Sequence, residues 1–267
     1  MNTTHTSNLK LNRAQLRIIA MLTMLIDHTG LHLLGNDFIC RTIGRIAFPV
    51  YAFLLADGFM HFKDDAKRVK RRFLIMLALT AVSEIAYDFA KYGLDYTAYT
   101  GKQSVLISLT FGFAGMYITD KIIPNDPERR PGFIRILAVT AITAFLCVAA
   151  YLLKADYGFA GPFFVLAFYW YIRLFGQNES NTGKRILFLC GIIACYLAYR
   201  CGMSMDKSLW KSSHIGLLAF YTGYMYVPLI LASYNWERGR HTRMFNAVYT
   251  AFYPAHLFIL GLLKLWL

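Results

Sequence analysis

The chain has 267 residues, of which 57% are hydrophobic and only 16% charged, where a soluble domain has roughly 25% charged residues. That balance excludes an ordinary soluble fold and predicts an all-α polytopic membrane protein seated in a lipid bilayer. The net charge of +13 would suit a nucleic acid, but the basic residues punctuate apolar segments at loop-like intervals, so no nucleic-acid partner is expected.

Nine apolar segments follow in chain order, near 16–34, 39–60, 73–90, 104–120, 133–153, 159–175, 186–201, 212–232 and 245–267. Several are short for a span, so eight or ten crossings also fit. Lys10, Arg13 and Arg17 before an apolar core imitate a signal peptide. Asp27 and His28 follow that core and no small-x-small cleavage site does, which predicts an uncleaved first span. With alternating sides, nineteen of the 28 basic residues share the side of the N-terminus. This bias predicts a cytoplasmic N-terminus, an outside C-terminus and a multi-pass protein of the cytoplasmic (inner) membrane. The run Lys67–Arg72 is the strongest marker. The loop from Asp120 to Gly132 holds Pro124, Pro127 and Pro131 and is expected to be irregular. Five cysteines form no C-x-x-C pair and mostly fall in apolar segments, which predicts buried free thiols. No internal repeat is visible, so residues 1–267 are read as one domain.

Polar residues inside the apolar segments are the candidates for chemistry, because each is costly in hydrocarbon. In the first segment Arg17 and His28 are eleven residues apart. That spacing nearly closes three helical turns and puts both on one face, with a rise of roughly 16 Å. Asp27 lies beside His28. In the second segment Arg41 and Arg45 are one turn apart, Pro49 predicts a kink, and Asp57 lies near the inner end. In the third, Glu84 and Asp88 share a face, and Glu84 reaches the depth of His28. In the last, Pro254 interrupts the pattern and His256 follows near mid-membrane. Gly158 and Gly161, within Asp156–Gly161, predict a tight bend or close backbone approach. His28 and His32 are spaced like a metal pair but lack a second ligand cluster, so no metal is expected. Phosphate-loop, nucleophile-elbow and paired C-x-x-C motifs are absent from the sequence.

MLIDHTG at 24–30, RTIGRIAFPVYAFLLADGF at 41–59, SEIAYDFA at 83–90, DYGFAG at 156–161 and YPAHL at 253–257 together make the chain resemble the TraX family, named for acetylation of conjugative pilin. The resemblance implies a multi-span fold and acyl transfer from acetyl-CoA, with the pilin N-terminal amine as the family's reported acceptor. The Arg17-x10-His28 spacing is also similar to the opening helix of the wider transmembrane acyltransferases. That group includes sugar O-acetylases and the lysosomal heparan N-acetyltransferase. The resemblance implies transfer at His28 and acyl-CoA use at Arg17.

The expected activity is therefore acetyl transfer from cytoplasmic acetyl-CoA to an amine (a peptide or pilin N-terminus) or a hydroxyl, including that of a glycan. The candidate catalytic set is His28, Asp27, Glu84 and His256. Asp27 or Glu84 would tune His28, and Arg45, His256 or Tyr253 would stabilise an oxyanion. The candidate set for acyl-CoA binding is Arg17, Arg45, Asp57, Arg68, Arg71 and Arg72. Two competing readings remain. Asp27, His28, Glu84, Asp88 and His256 also make a plausible proton relay for a transporter, although no paired halves are visible. A non-catalytic assembly scaffold would instead tolerate substitution at His28 and Glu84.

Overall fold

A computed structural model of the chain describes residues 10–95, 101–123, 131–176, 181–204, 221–240 and 242–267. Among them the helices are α1 (Arg13–His32), α2 (Phe38–Gly44), α3 (Ala47–Met60), α4 (Ala66–Tyr92), α5 (Val105–Ile122), α6 (Phe133–Leu152), α7 (Ala160–Leu174) and α8 (Thr182–Ser204). A 3-10 turn (Thr222–Tyr226), α9 (Val227–Ala232) and α10 (Arg243–Trp266) complete the chain. Two isolated bridges, Leu11 with Tyr234 and Gln103 with Ala155, are the extent of β-pairing among the described residues.

The fold is that of an all-α polytopic membrane protein. Six helical stretches are long and apolar enough to cross a bilayer: Phe38–Met60, Ala66–Tyr92, Val105–Ile122, Phe133–Leu152, Thr182–Tyr199 and Arg243–Trp266. All nine apolar segments of the sequence overlap helix, but three do not qualify as spans on these grounds. The first is long enough within α1 but carries Arg17, Asp27 and His28 among its apolar residues. The sixth and eighth are short, and 205–220 lies outside the described residues. The outward faces match a lipid environment. Leu74, Val82 and Ile85 on α4, Phe133 and Phe145 on α6, and Phe258 and Ile259 on α10 are all exposed, a hydrophobic surface too extensive for water.

The core lies around α3 and α7. Phe48, Phe53 and Phe59 of α3 are fully buried against Phe164, Phe168 and Tyr169 of α7, with edge-on ring contacts throughout. The remaining helices surround this pair, and α10 fits between α1 and α4. Gly261 lets α10 close on α4, because a Cβ there would strike the Phe89 ring.

The two prolines act differently. The helical stretch Phe38–Met60 breaks between α2 and α3, at Arg45 and Ile46, just ahead of Pro49, as a proline-induced kink requires. Pro49 itself lies in the first turn of α3. Proline cannot bond back to the carbonyl four residues earlier, so the first turn, where that N–H is spare, is its natural place. Pro254 does not interrupt α10, which runs unbroken through it. The Asp156–Gly161 expectation holds on both counts. Gly158 has φ +49° in a tight turn, and a Cβ on Gly161 would run into Ser108 of α5. The thiols correct the sequence reading in part. Cys147 is buried and Cys40 half-buried, but Cys190 and Cys195 are exposed on α8. The Cys201 side chain and loop residues 124–130 lie outside the described set.

Candidate functional site

The register of α1 is set at its start by a capping box. The Asn12 side chain accepts from the Gln15 N–H at 3.0 Å, and the Gln15 side chain accepts from the Asn12 N–H at 2.9 Å. This fixes where Arg13, Arg17 and His28 point. At the Arg13 end, Arg13 grips Asp57 of α3 through Nη2 and through Nε at 2.8 Å, and the Tyr234 hydroxyl donates to the same carboxylate oxygen at 3.0 Å. Asp57 is only 1% exposed, so it is a buried anion with its partners in place, not a carboxylate dissolved at a helix end. Burial lifts the Tyr234 phenol far above its ordinary range, and the neighbouring Asp57 charge adds to the effect.

One turn further, Arg17 donates Nη1 to the Asn246 side chain at 2.7 Å and lies 4.7 Å over the Tyr249 ring. Tyr51 of α3 lies nearly parallel to Tyr249 at 5.7 Å. Asn246, Tyr249, Tyr253 and His256 follow one another on α10 at helical spacing, so they form a single polar face toward α1. Sequence reading took in only the last two. The i, i+3, i+7, i+10 pattern was the signal that would have found the others. This seam joins the Arg17 level to the His28 level, about 16 Å apart along α1.

At its far end His28 and His256 meet. His28 Nδ1 and His256 Nε2 are 2.6 Å apart. The rings are 10° from parallel with centroids 4.9 Å apart, a spacing that fits an edge-to-edge N–H···N bond. His256 Nδ1 lies 2.7 Å from the Phe252 carbonyl oxygen. A carbonyl only accepts, so that nitrogen carries a proton. In the neutral pair His256 Nε2 is then a lone pair, His28 Nδ1 carries the proton between the rings, and His28 Nε2 is left bare. The Tyr253 ring packs edge-on against both imidazoles.

The bare Nε2 faces the Asp27 carboxylate, 3.9 Å away. Asp27 does not hydrogen-bond it. One Asp27 oxygen takes Arg41 Nη1 at 2.6 Å, and the other takes Arg45 Nη2 at 2.7 Å. The close fit depends on Gly44, where a Cβ would overlap the Asp27 carboxylate. Glu84 is also engaged elsewhere. Both its oxygens accept from the Ser104 N–H, at 2.9 and 3.1 Å, capping α5. The structure thus unites His28 with His256 and keeps Asp27 adjacent, while Glu84 has no direct bond to the pair.

The basic candidates divide. Arg17 points into the seam, and Arg72 and Arg238 are near enough to act on its charge. Arg68 pairs with Asp65 at 3.0 Å on the surface. Arg71 lines an open groove of about 440 Å³ with Lys67, Lys70 and apolar residues on the outside of α4. A second buried ion cluster was not foreseen. Asp120 lies 3.2 Å from Lys63 and 3.6 Å from Arg173, and the Tyr169 hydroxyl donates to it at 3.1 Å. No group of three His, Cys, Asp or Glu side chains fit to hold a metal occurs among the described residues.

Several buried polar atoms have no hydrogen-bond partner. They are Arg17 Nε and Tyr51 Oη along the seam, Arg41 Nε and His32 Nε2 around the pair, and Ser83, Ser104 and Ser108 Oγ beyond it. Buried polar groups are nearly always paired, so each needs an explanation.

The fold and this interior define a polytopic membrane protein built around a hydrogen-bonded histidine pair, with arginine–carboxylate clusters on either side. The chain belongs to the TraX family, whose profile, described as TraX protein, matches residues 12–264. Probable fimbrial assembly protein FimC, serogroup H1, of Dichelobacter nodosus is 26% identical over 267 residues, spanning 97% of this chain and 98% of that protein. Protein WALLS ARE THIN 1 of Arabidopsis thaliana is 31% identical over 142 residues, which cover 49% of this chain and 34% of that one. No solved structure matches.

Proposed function

We propose that the protein is an acetyl-CoA-dependent acetyltransferase of the cytoplasmic membrane. It moves an acetyl group to the amine or hydroxyl of an acceptor, with the N-terminus of a peptide or pilin foremost and a glycan as the other class. The observation that carries this reading is the His28–His256 pair, hydrogen-bonded so that His28 Nε2 stands bare inside the bundle at the end of a polar seam. A base so placed is what acyl transfer to a weakly acidic N–H or O–H requires.

The seam suits the co-substrate. Arg17, Arg72 and Arg238 gather positive charge at its mouth, favourable for phosphates. Arg17 Nε and Tyr51 Oη, both buried and partnerless, supply donors for the amide carbonyls of a pantetheine arm. The positive-inside bias of the sequence supports a cytoplasmic side for this mouth. His28 Nε2 takes the proton from the acceptor as its nitrogen or oxygen bonds to the thioester carbonyl carbon. The carbonyl electron pair moves onto oxygen. When it returns, the C–S bond breaks and His28 passes the proton to the departing sulfur, leaving acetylated acceptor and free CoA thiol. His256 does for His28 what the carboxylate does in a hydrolytic triad. It fixes the tautomer and steadies the imidazolium that forms.

The test is incorporation of labelled acetyl from acetyl-CoA into peptide and glycan fractions by membranes containing the protein. Transfer should require His28. A correctly inserted H28A protein that transfers at the wild-type rate would overturn the reading.

A further inference from the structure

We infer that Arg41 is a catalytic residue, the donor that holds the oxyanion formed when the thioester carbonyl is attacked at His28. This rests on the acyltransfer reading above.

The argument begins with what each arginine at the pair has left to give. Arg45 donates Nε to the Arg41 carbonyl at 3.0 Å and Nη2 to Asp27 at 2.7 Å. Its guanidinium holds α2 in shape and anchors the carboxylate. Arg41 donates Nη1 to the other Asp27 oxygen at 2.6 Å, and its Nε–H is buried with no partner. The Asp27 oxygen that binds Arg41 is the one 3.9 Å from His28 Nε2. Arg41 is therefore one carboxylate away from the bare nitrogen, on the edge of the ring where the reaction must occur.

Electrostatics point the same way. Both Asp27 oxygens are taken by guanidinium groups, and Asp156 is near enough to act on Asp27, so the corner holds two cations and two carboxylates. A guanidinium with a spare N–H in a site of low dielectric favours an anion forming beside it. Asp27 then has a role that its position next to His28 conceals. With both oxygens held by arginines, it aims Arg41 and does not act as the base.

As the acceptor adds to the carbonyl carbon, the C=O electron pair goes to oxygen, and Arg41 Nε–H donates to it. When the pair returns and the C–S bond breaks, that hydrogen bond is released. Arg41 gives up no proton, and the balance is that of the transfer itself.

The experiment uses full-length protein in membranes and compares wild type with R41K, R41Q, and R41A with and without added guanidinium. R41K keeps the charge on Asp27 but loses the planar fork, and R41Q keeps a neutral N–H. Turnover with acetyl-CoA should fall about 10²–10³-fold in R41K and R41Q, while the KM for acetyl-CoA stays near wild type. Guanidinium should restore part of the R41A rate. If wild type transfers acetyl and either properly inserted variant, R41K or R41Q, turns over within about twofold of it, the assignment is wrong and the acyltransfer reading stands. A rise in KM with kcat unchanged would also overturn it, since binding rather than the transition state would be affected. If wild type moves no acetyl from acetyl-CoA to any fraction, both fall together.

Discussion

His256 accepts the proton of His28 Nδ1 across 2.6 Å, although 228 residues separate them. Because the Phe252 carbonyl holds the other His256 proton, this single contact decides which nitrogen of His28 is free. The consequence is testable apart from His28 itself. Replacing His256 by Phe keeps an aromatic ring in the packing but releases the tautomer. Acetyl transfer should drop at least about 10²-fold, with little change in acetyl-CoA binding. H256Q, which can still accept through its amide oxygen, should keep more activity than H256F. Equal rates for H256F and wild type in a transfer assay would show that the pair is only structural.

Tyr51 offers a test in which stability and function should separate. Its buried hydroxyl has no partner, so Y51F removes no hydrogen bond and should leave thermal unfolding in detergent unchanged or slightly improved. If a pantetheine arm uses that hydroxyl, the KM for acetyl-CoA should rise several-fold, by about 1 kcal/mol of lost binding. An unaltered KM would remove Tyr51 from the path.

Asp57 should matter for folding more than for chemistry. It is 1% exposed and bound by Arg13 and Tyr234. D57A leaves the Arg13 guanidinium without its anion at a side chain only 11% exposed. The expected cost is roughly 3–5 kcal/mol, seen as a lower unfolding temperature or failed insertion. Replacing both residues, R13M with D57L, should recover much of the loss. A D57A protein as stable as wild type would contradict the buried-pair account.

Gly44 makes the fourth prediction. A methyl group there overlaps the Asp27 carboxylate, so G44A must push α2 away and loosen both arginine bonds. A destabilisation of about 1–3 kcal/mol is expected, together with loss of transfer. G58A is the control, because a Cβ at Gly58 meets nothing within 4 Å, and it should behave as wild type.

Much was legible in the chain before any coordinates. Apolar run lengths fixed the class, and helical spacing placed Arg17 and His28 on one face. The cost of polar groups in hydrocarbon marked Asp27, Glu84 and His256 as residues in need of partners. Which partners they took was not legible. Asp27 sits beside His28 in sequence, yet a quarter turn separates them on the helix, and α2 and the residue that caps its end deliver two arginines to it first. Glu84 lay at the right depth but turned to the start of α5. Arg41 and Arg45 look equivalent in sequence. Only the fold gives one a carbonyl to bind and leaves the other a free donor. Composition and periodicity act along the chain and dictate helices and their buried faces. Hydrogen-bond pairing acts across it, and the choice among several nearby polar groups depends on how closely helices far apart in sequence approach, as α10 does to α1.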